Sequence, residues 1–132
     1  MHEWALAEAV NSAAVEVGEK EGLKEITELN IRIGRLQQID LKIFEFALSH
    51  LRVPMLKNAK FNLKIVEAEL KCRACEHGWS FNPEDLGQDA SESVHFIPEV
   101  AHVYVKCPKC GSPDFEIITG RGVWIESIKG VR

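Results

Sequence analysis

The chain has 132 residues and a mass of 14.9 kDa; 45% of its residues are hydrophobic, its net charge is −4 and its pI is near 5.7. That length suits one domain, or one domain with a small metal-held module, and the acidic balance argues against a nucleic-acid binder, which needs a basic face. No apolar run approaches the roughly 18 residues of a membrane span, and Met1-His2-Glu3-Trp4 is no cationic leader, so neither a membrane nor a nucleic acid is expected as a partner.

Residues 3 to 20 predict an amphipathic helix, with Leu6, Val10, Ala13, Ala14 and Val17 at helical spacing and Gly22 as a stop. Residues 25 to 33 alternate, Thr27, Leu29, Ile31 and Ile33 facing one way and Glu28, Asn30 and Arg32 the other, which predicts a half-buried strand ended by Gly34. Asp40 is placed to cap a helix over 41 to 51, whose apolar face is Ile43, Phe44, Ala47, Leu48 and Leu51; Pro54 lies beyond its end. A second strand is expected at 61 to 70, with Phe61, Leu63 and Ile65 on one side. Near the end, 115 to 118 and 123 to 128 read as strands separated by Gly120 and Gly122, the last returning to the sheet of 25 to 33 and 61 to 70. The expected fold is therefore α+β. A small mixed sheet flanked by two helices (1–69 plus 113–132) carries an inserted zinc-ribbon-like domain (70–112).

All four cysteines fall into two Cys-x-x-Cys pairs, Cys72-Arg73-Ala74-Cys75 and Cys107-Pro108-Lys109-Cys110. Two such turns supply a tetrahedral set of four thiolates, which suits zinc(II) first and iron second. Cysteines kept as thiolates fit a reducing cytoplasm. Gly111 permits the left-handed turn that aims backbone amides at sulfur, while the first pair is a looser copy with glycine two places later, at Gly78. A closed four-sulfur site is structural, not catalytic. Of the 31 residues between Cys75 and Cys107, Glu76, Glu84, Asp85, Asp89, Glu92 and Glu99 are acidic, and from Ala74 to Val105 there is no Lys or Arg. Asn82 to Ser93 reads as a loop, either a solvated acidic face or a surface for a basic partner or cation.

The amino terminus is a second constellation. Because His2 follows Met1, the initiator methionine is expected to stay. The His2 imidazole, a deprotonated backbone amide and the terminal amine can form adjoining chelate rings around nickel(II) or copper(II), which favour square-planar nitrogen sets. Such binding displaces protons and weakens in acid. Glu3, an acid in the first helical turn, also favours the helix dipole.

A chain beginning Met1-His2-Glu3, with Ala5-Leu6 in its first helix, a strand ending Gly34-Arg35-Leu36 and two Cys-x-x-Cys pairs, resembles the HypA/HybF family of hydrogenase nickel metallochaperones over its whole length. The resemblance implies that His2 is the principal nickel ligand, helped by the backbone nitrogens of His2 and Glu3 and by the Met1 amine. It implies that Cys72, Cys75, Cys107 and Cys110 hold structural zinc. It implies nickel(II) delivery to the large subunit of [NiFe]-hydrogenase, with the HypB GTPase as partner. The long inter-pair segment resembles the archaeal form, whose histidine in a stretch like Val94-His95-Phe96-Ile97-Pro98 implies His95 as an additional nickel ligand; His77 and His102 are read as packing or surface residues. Gln37-Gln38-Ile39-Asp40 departs from the small residues and valine usual there. Two other readings remain, a zinc-ribbon module in transcription or translation and a rubredoxin-like iron carrier. A monomer and a dimer are both compatible with the sequence.

Overall fold

The computed structural model describes residues 2–132, and every side chain among them except that of Phe96. In chain order its main elements are α1 (Glu3–Lys20), β1 (Glu25–Gly34), α2 (Leu41–His50), β2 (Lys60–Val66), β3 (Ala68–Cys72), β4 (Gly78–Phe81), α3 (Gln88–Phe96), α4 (Ala101–Tyr104), β5 (Phe115–Thr119) and β6 (Val123–Val131). The fold is α+β, with two three-stranded sheets of order β2-β1-β6 and β4-β3-β5. The chain divides into two compact units: Met1–Arg32, Ile39–Lys64 and Val123–Arg132 form one, Ile33–Gln38 and Ile65–Gly122 the other.

In the first unit, β6 joins β1 as the sequence predicts. Ile26, Leu29 and Ile31 are fully buried, whereas Thr27 is exposed and its hydroxyl donates to the Lys129 carbonyl at 3.2 Å. The alternation therefore slips at the start of β1, where Ile26 takes the inward place expected of Thr27. Asp40 caps α2: its Oδ1 accepts from the backbone N–H groups of Lys42 and Ile43 at 3.0 and 3.1 Å. Phe44, Ala47 and Leu48 are buried from that helix, while Ile43 is 44% exposed.

The buried face of α1 differs from the expected one. It consists of Glu3, Ala7, Val10, Asn11, Ala14 and Gly18, while Ala13 is exposed and Val17 is 43% exposed. The reason is closeness. A Cβ on Gly18 would lie 2.7 Å from the Met55 sulfur and 3.3 Å from Ile26 Cδ1, so small residues line the tight seam and the larger valine is turned outward. Asn11 adds a polar fastening: its Nδ2 donates to the carbonyls of Leu48 and Leu51 at 3.1 and 3.3 Å, groups that the end of α2 leaves without helical partners.

The strand expected over 61 to 70 is two strands in different sheets, with Glu67 between them. Glu67 accepts from Arg35 Nη2 at 2.6 Å and from Arg35 Nε at 3.1 and 3.2 Å. β3 and β5 lie in the second unit because β3 pairs antiparallel with both neighbours: Leu70 faces Trp79 of β4 and Ile117 of β5, and Cys72 faces Phe115. Gly34 also belongs here, its N–H donating to the Gly122 carbonyl at 2.8 Å; a Cβ on it would meet the Gly120 carbonyl oxygen at 2.2 Å.

The expected acidic loop is mostly short helices. Asn82 Oδ1 accepts from Glu84 N–H at 3.0 Å and opens a 3-10 turn, Gly87 precedes α3, and α3 is anchored by Val94, fully buried in a core with Leu36, Leu70, Ala101 and Phe115. Propensity alone misses α3 because its helical face presents one large aliphatic anchor. Glu84, Asp85, Asp89, Glu92 and Glu99 are all exposed, and Glu99 pairs with Arg121.

Candidate metal centres

The two cysteine turns are built alike. In the first, Cys72 N–H donates to the His77 carbonyl at 2.8 Å and Glu76 N–H to the Cys72 carbonyl at 2.9 Å. In the second, Cys107 N–H donates to the Ser112 carbonyl at 2.9 Å and Gly111 N–H to the Cys107 carbonyl at 2.8 Å. The residue after the second cysteine is left-handed in both, φ 63° at Glu76 and φ 76° at Gly111. Glycine at 78 is thus not the counterpart of Gly111; Glu76 takes that backbone state without glycine's freedom. The turns hang from β3 and β5, and Phe115, fully buried, packs edge-on to Trp79 at 5.6 Å.

The four Sγ atoms lie within 4.8 Å of one another, with Cys72–Cys110 at 3.5 Å and Cys75–Cys107 at 3.6 Å. A Zn–S distance of about 2.3 Å gives tetrahedron edges of about 3.8 Å, so the donor set fits zinc. Cys75 N–H lies 3.5 Å from Cys72 Sγ, the backbone-to-sulfur contact that eases crowding of thiolates. In the metal-free cluster burial opposes ionisation of Cys107, but backbone N–H groups of Cys110 and Lys109 and the Cys75 thiol bring it down to about 7. Cys110 receives help from Ser112 N–H, yet its thiol neighbours, Cys72 foremost, push it up to about 12. Cys107 and Cys110 thus release their protons unequally, and a dication binding to thiolates displaces thiol protons. Among the described residues these four form the one group of three or more Cys, His, Asp or Glu side chains close enough to share an ion.

At the amino terminus, Met1 lies outside the described residues. His2 is exposed and its carbonyl accepts Leu6 N–H at 2.9 Å, so it immediately precedes the first turn of α1. Glu3 is 4% exposed, and the backbone N–H of Asp40 approaches its Oε1 at 3.3 Å. Burial opposes its charge, but surrounding donors, the N–H groups of Glu3 and Asp40 among them, hold its carboxyl below the ordinary glutamate range. Trp4 meets the rings of His50 at 5.5 Å and Phe46 at 5.9 Å, a further tie from this end of α1 to α2.

His95 stands in the last turn of α3, half-buried, with Nδ1 hydrogen-bonded to the Gln37 carbonyl. Gln38 Nε2 donates to the Ser91 carbonyl at 2.7 Å and Ser91 Oγ donates to Gln38 Oε1 at 2.5 Å. The sequence flags Gln37-Gln38 only as a departure near α2; the Gln37 carbonyl and the Gln38 side chain both bond to α3. His102 stacks on Phe115 at 4.1 Å with Nδ1 3.0 Å from the Pro113 carbonyl, and His77 stacks on Trp79 at 6.0 Å, so both are packing residues.

With this geometry in place, comparison with known proteins is decisive. A profile of the family described as HypA, hydrogenase/urease nickel incorporation metallochaperone, matches residues 1–130. The chain belongs to the HypA family. It is 41% identical over 132 residues to the hydrogenase maturation factor HypA of Pyrococcus horikoshii, covering 98% of this chain and 95% of that protein. It is 39% identical to the factor of the same name from Thermococcus sibiricus, covering 98% and 96%. The solution structure of the Ni metallochaperone HypA from Helicobacter pylori superposes with a TM-score of 0.65 at 22% identity, covering 99% of this chain and 98% of that one, and shares its fold. A HypA protein is a maturation factor and metallochaperone, not an enzyme: nickel is its cargo, and the four-cysteine cluster could hold a zinc ion. No described helix is long and apolar enough to cross a membrane.

Proposed function

We propose that this HypA takes up nickel(II) at its amino terminus and, working in the cytoplasm with the HypB GTPase, delivers it to the large subunit of a [NiFe]-hydrogenase. The ligands in this reading are the His2 imidazole, the backbone nitrogens of His2 and Glu3 and the Met1 amine, with His95 as a further nickel ligand. The setting of Glu3 carries the proposal. A buried carboxylate tied to Asp40 N–H anchors the first turn of α1, so the backbone nitrogens of residues 2 and 3 belong to an ordered segment at which His2 is exposed. A nitrogen-rich set of this kind favours nickel(II) over hard cations such as magnesium, and the ions it must release make uptake weaker in acid. The zinc site, closed by four sulfurs, offers no open position for cargo and is structural.

The test is metal titration of the untagged protein, counting zinc and nickel separately. His2→Ala, or a tag placed before Met1, is expected to abolish nickel binding and leave zinc in place. Nickel binding that survives both changes overturns the amino-terminal site. His95→Ala is expected to weaken nickel binding; unchanged affinity removes His95 from the ligand set.

A further inference from the structure

We propose that the Gln37-Gln38 turn is a positioning element for His95: it selects the imidazole tautomer that presents Nε2 to nickel. The proposal rests on the reading of His95 as a nickel ligand and concerns how that ligand is held. Its first support is chemical. A backbone carbonyl can only accept, so the bond between Gln37 O and His95 Nδ1 requires the proton on Nδ1. In the neutral ring the lone pair then falls on Nε2. Free histidine in water favours the opposite tautomer, so the carbonyl is what decides the matter. Metal-bound histidines commonly donate their other ring N–H to such a carbonyl, which fixes the ring's orientation and strengthens the ligating nitrogen.

The second support is the device that keeps the carbonyl in place. Ser91 stands one helical turn before His95 on α3, on the same side of the helix. The Gln38 amide grips it twice: the NH2 group donates to the Ser91 carbonyl, and the amide oxygen accepts from the Ser91 hydroxyl. Because the Ser91 carbonyl cannot donate, the amide has only one workable orientation. Gln38 itself is left-handed, φ 49° and ψ 48°, a state uncommon outside glycine, asparagine and aspartate. The two side-chain bonds offset that backbone cost and hold the turn that directs the Gln37 carbonyl.

The third support is packing. Leu36 and Val94, the residues immediately before Gln37 and His95, are both fully buried in one hydrophobic core. The acceptor and the ring are thus each one residue from a shared anchor, and neither can drift far from the other. A free imidazole must lose rotamer and tautomer freedom when it binds an ion; here both losses are met during folding.

The experiment uses full-length, untagged protein, nickel chloride as probe and three variants. Calorimetry gives nickel affinity, and 15N shifts of the His95 ring in metal-free protein give the tautomer. Gln38→Gly keeps a residue at ease in the left-handed state but removes the grip; it is expected to weaken nickel binding by about tenfold or more, as loss of an outer partner does, with zinc retained. In the same variant the ring should move from the Nδ1–H form toward a mixture with Nε2–H. Ser91→Ala, which removes the hydroxyl half only, should move both readouts a smaller distance in the same direction. An unshifted His95 ring in Gln38→Gly overturns the proposal, even if nickel affinity falls, because a general loosening would do that. Should Gln38→Gly melt early, an unshifted ring in Ser91→Ala is the overturning result. His95→Ala separates the levels: if it leaves nickel affinity unchanged, the reading of His95 as a ligand fails, and the positioning role falls with it. If it weakens nickel while Gln38→Gly changes neither affinity nor ring, only the positioning role fails.

Discussion

The left-handed residue in each cysteine turn makes a quantitative prediction. At Gly111, φ is 76° and a built Cβ meets nothing within 4 Å, so alanine would suffer backbone strain but no clash. The left-handed state costs a residue with a Cβ about 1–2 kcal/mol. Removing glycine's extra freedom from the unfolded chain returns roughly 0.5–1 kcal/mol. Gly111→Ala should therefore lose about 1 kcal/mol. Folding of a zinc turn and binding of its metal are one equilibrium, so the loss should appear as zinc affinity weakened about fivefold. Glu76, at φ 63°, is the mirror experiment: Glu76→Gly should tighten zinc by a similar factor. Competition against a chromophoric chelator measures both, and the absorption of a cobalt-substituted sample checks that coordination stays tetrahedral. Affinities for both variants within twofold of the parent protein, or weaker binding in Glu76→Gly, would refute the reasoning.

Four further outcomes follow from the same structure. Asn11→Ala should lower stability to urea by about 1–3 kcal/mol, since the Leu48 and Leu51 carbonyls lose their donor; Asn11→Asp should cost more, because it sets a carboxylate against those carbonyls. Gly34→Ala should cost about 1–3 kcal/mol in the same assay, because its Cβ meets the Gly120 backbone, which cannot yield as a side-chain tip would. Glu3 has a carboxyl pKa depressed on folding, so its ionised form contributes stability that is present above the unfolded value of about 4.3 and is lost as pH falls through the lower folded value; Glu3→Gln should flatten that acid limb of a thermal-melt profile. Stripping zinc with a chelator should raise amide exchange across β3 and β5 while α2 keeps its protection, as checked by mass spectrometry.

Much of the architecture was legible from spacing. Asp40 before an apolar 3.6-period, Gly34 after an alternating run, and two Cys-x-x-Cys pairs each name one structural solution, and the structure contains all three. What was not legible depends on shape across the chain. The seam of α1 is chosen by the small volumes of Ala7, Ala14 and Gly18 against their neighbours, which outweighs the larger transfer free energy of burying Val17. At the break, Glu67 pairs with Arg35, more than thirty positions away, and a run of alternating residues carries no mark of such a partner. α3 hides in a polar stretch because its hold combines the fully buried Val94 with hydrogen bonds to Gln37 and Gln38 that no local pattern announces. The gathering of the four cysteines could be read from sequence because each Cys-x-x-Cys turn is local; the partner of His95 could not, since nothing in Gln37-Gln38 announces a carbonyl aimed at an imidazole.

The interrupted course of the first unit has a consequence for biosynthesis. Helix α1 and strand β1 leave the ribosome well before β6, the third strand of the sheet that β1 belongs to. Residues 65 to 122 emerge in between, and with 33 to 38 already available they make up the whole second unit, the four cysteines included. During synthesis the cysteine cluster can thus close while the amino-terminal end still lacks one edge of its sheet. A nascent chain could gather its four cysteines in the middle before the sheet at its beginning is finished.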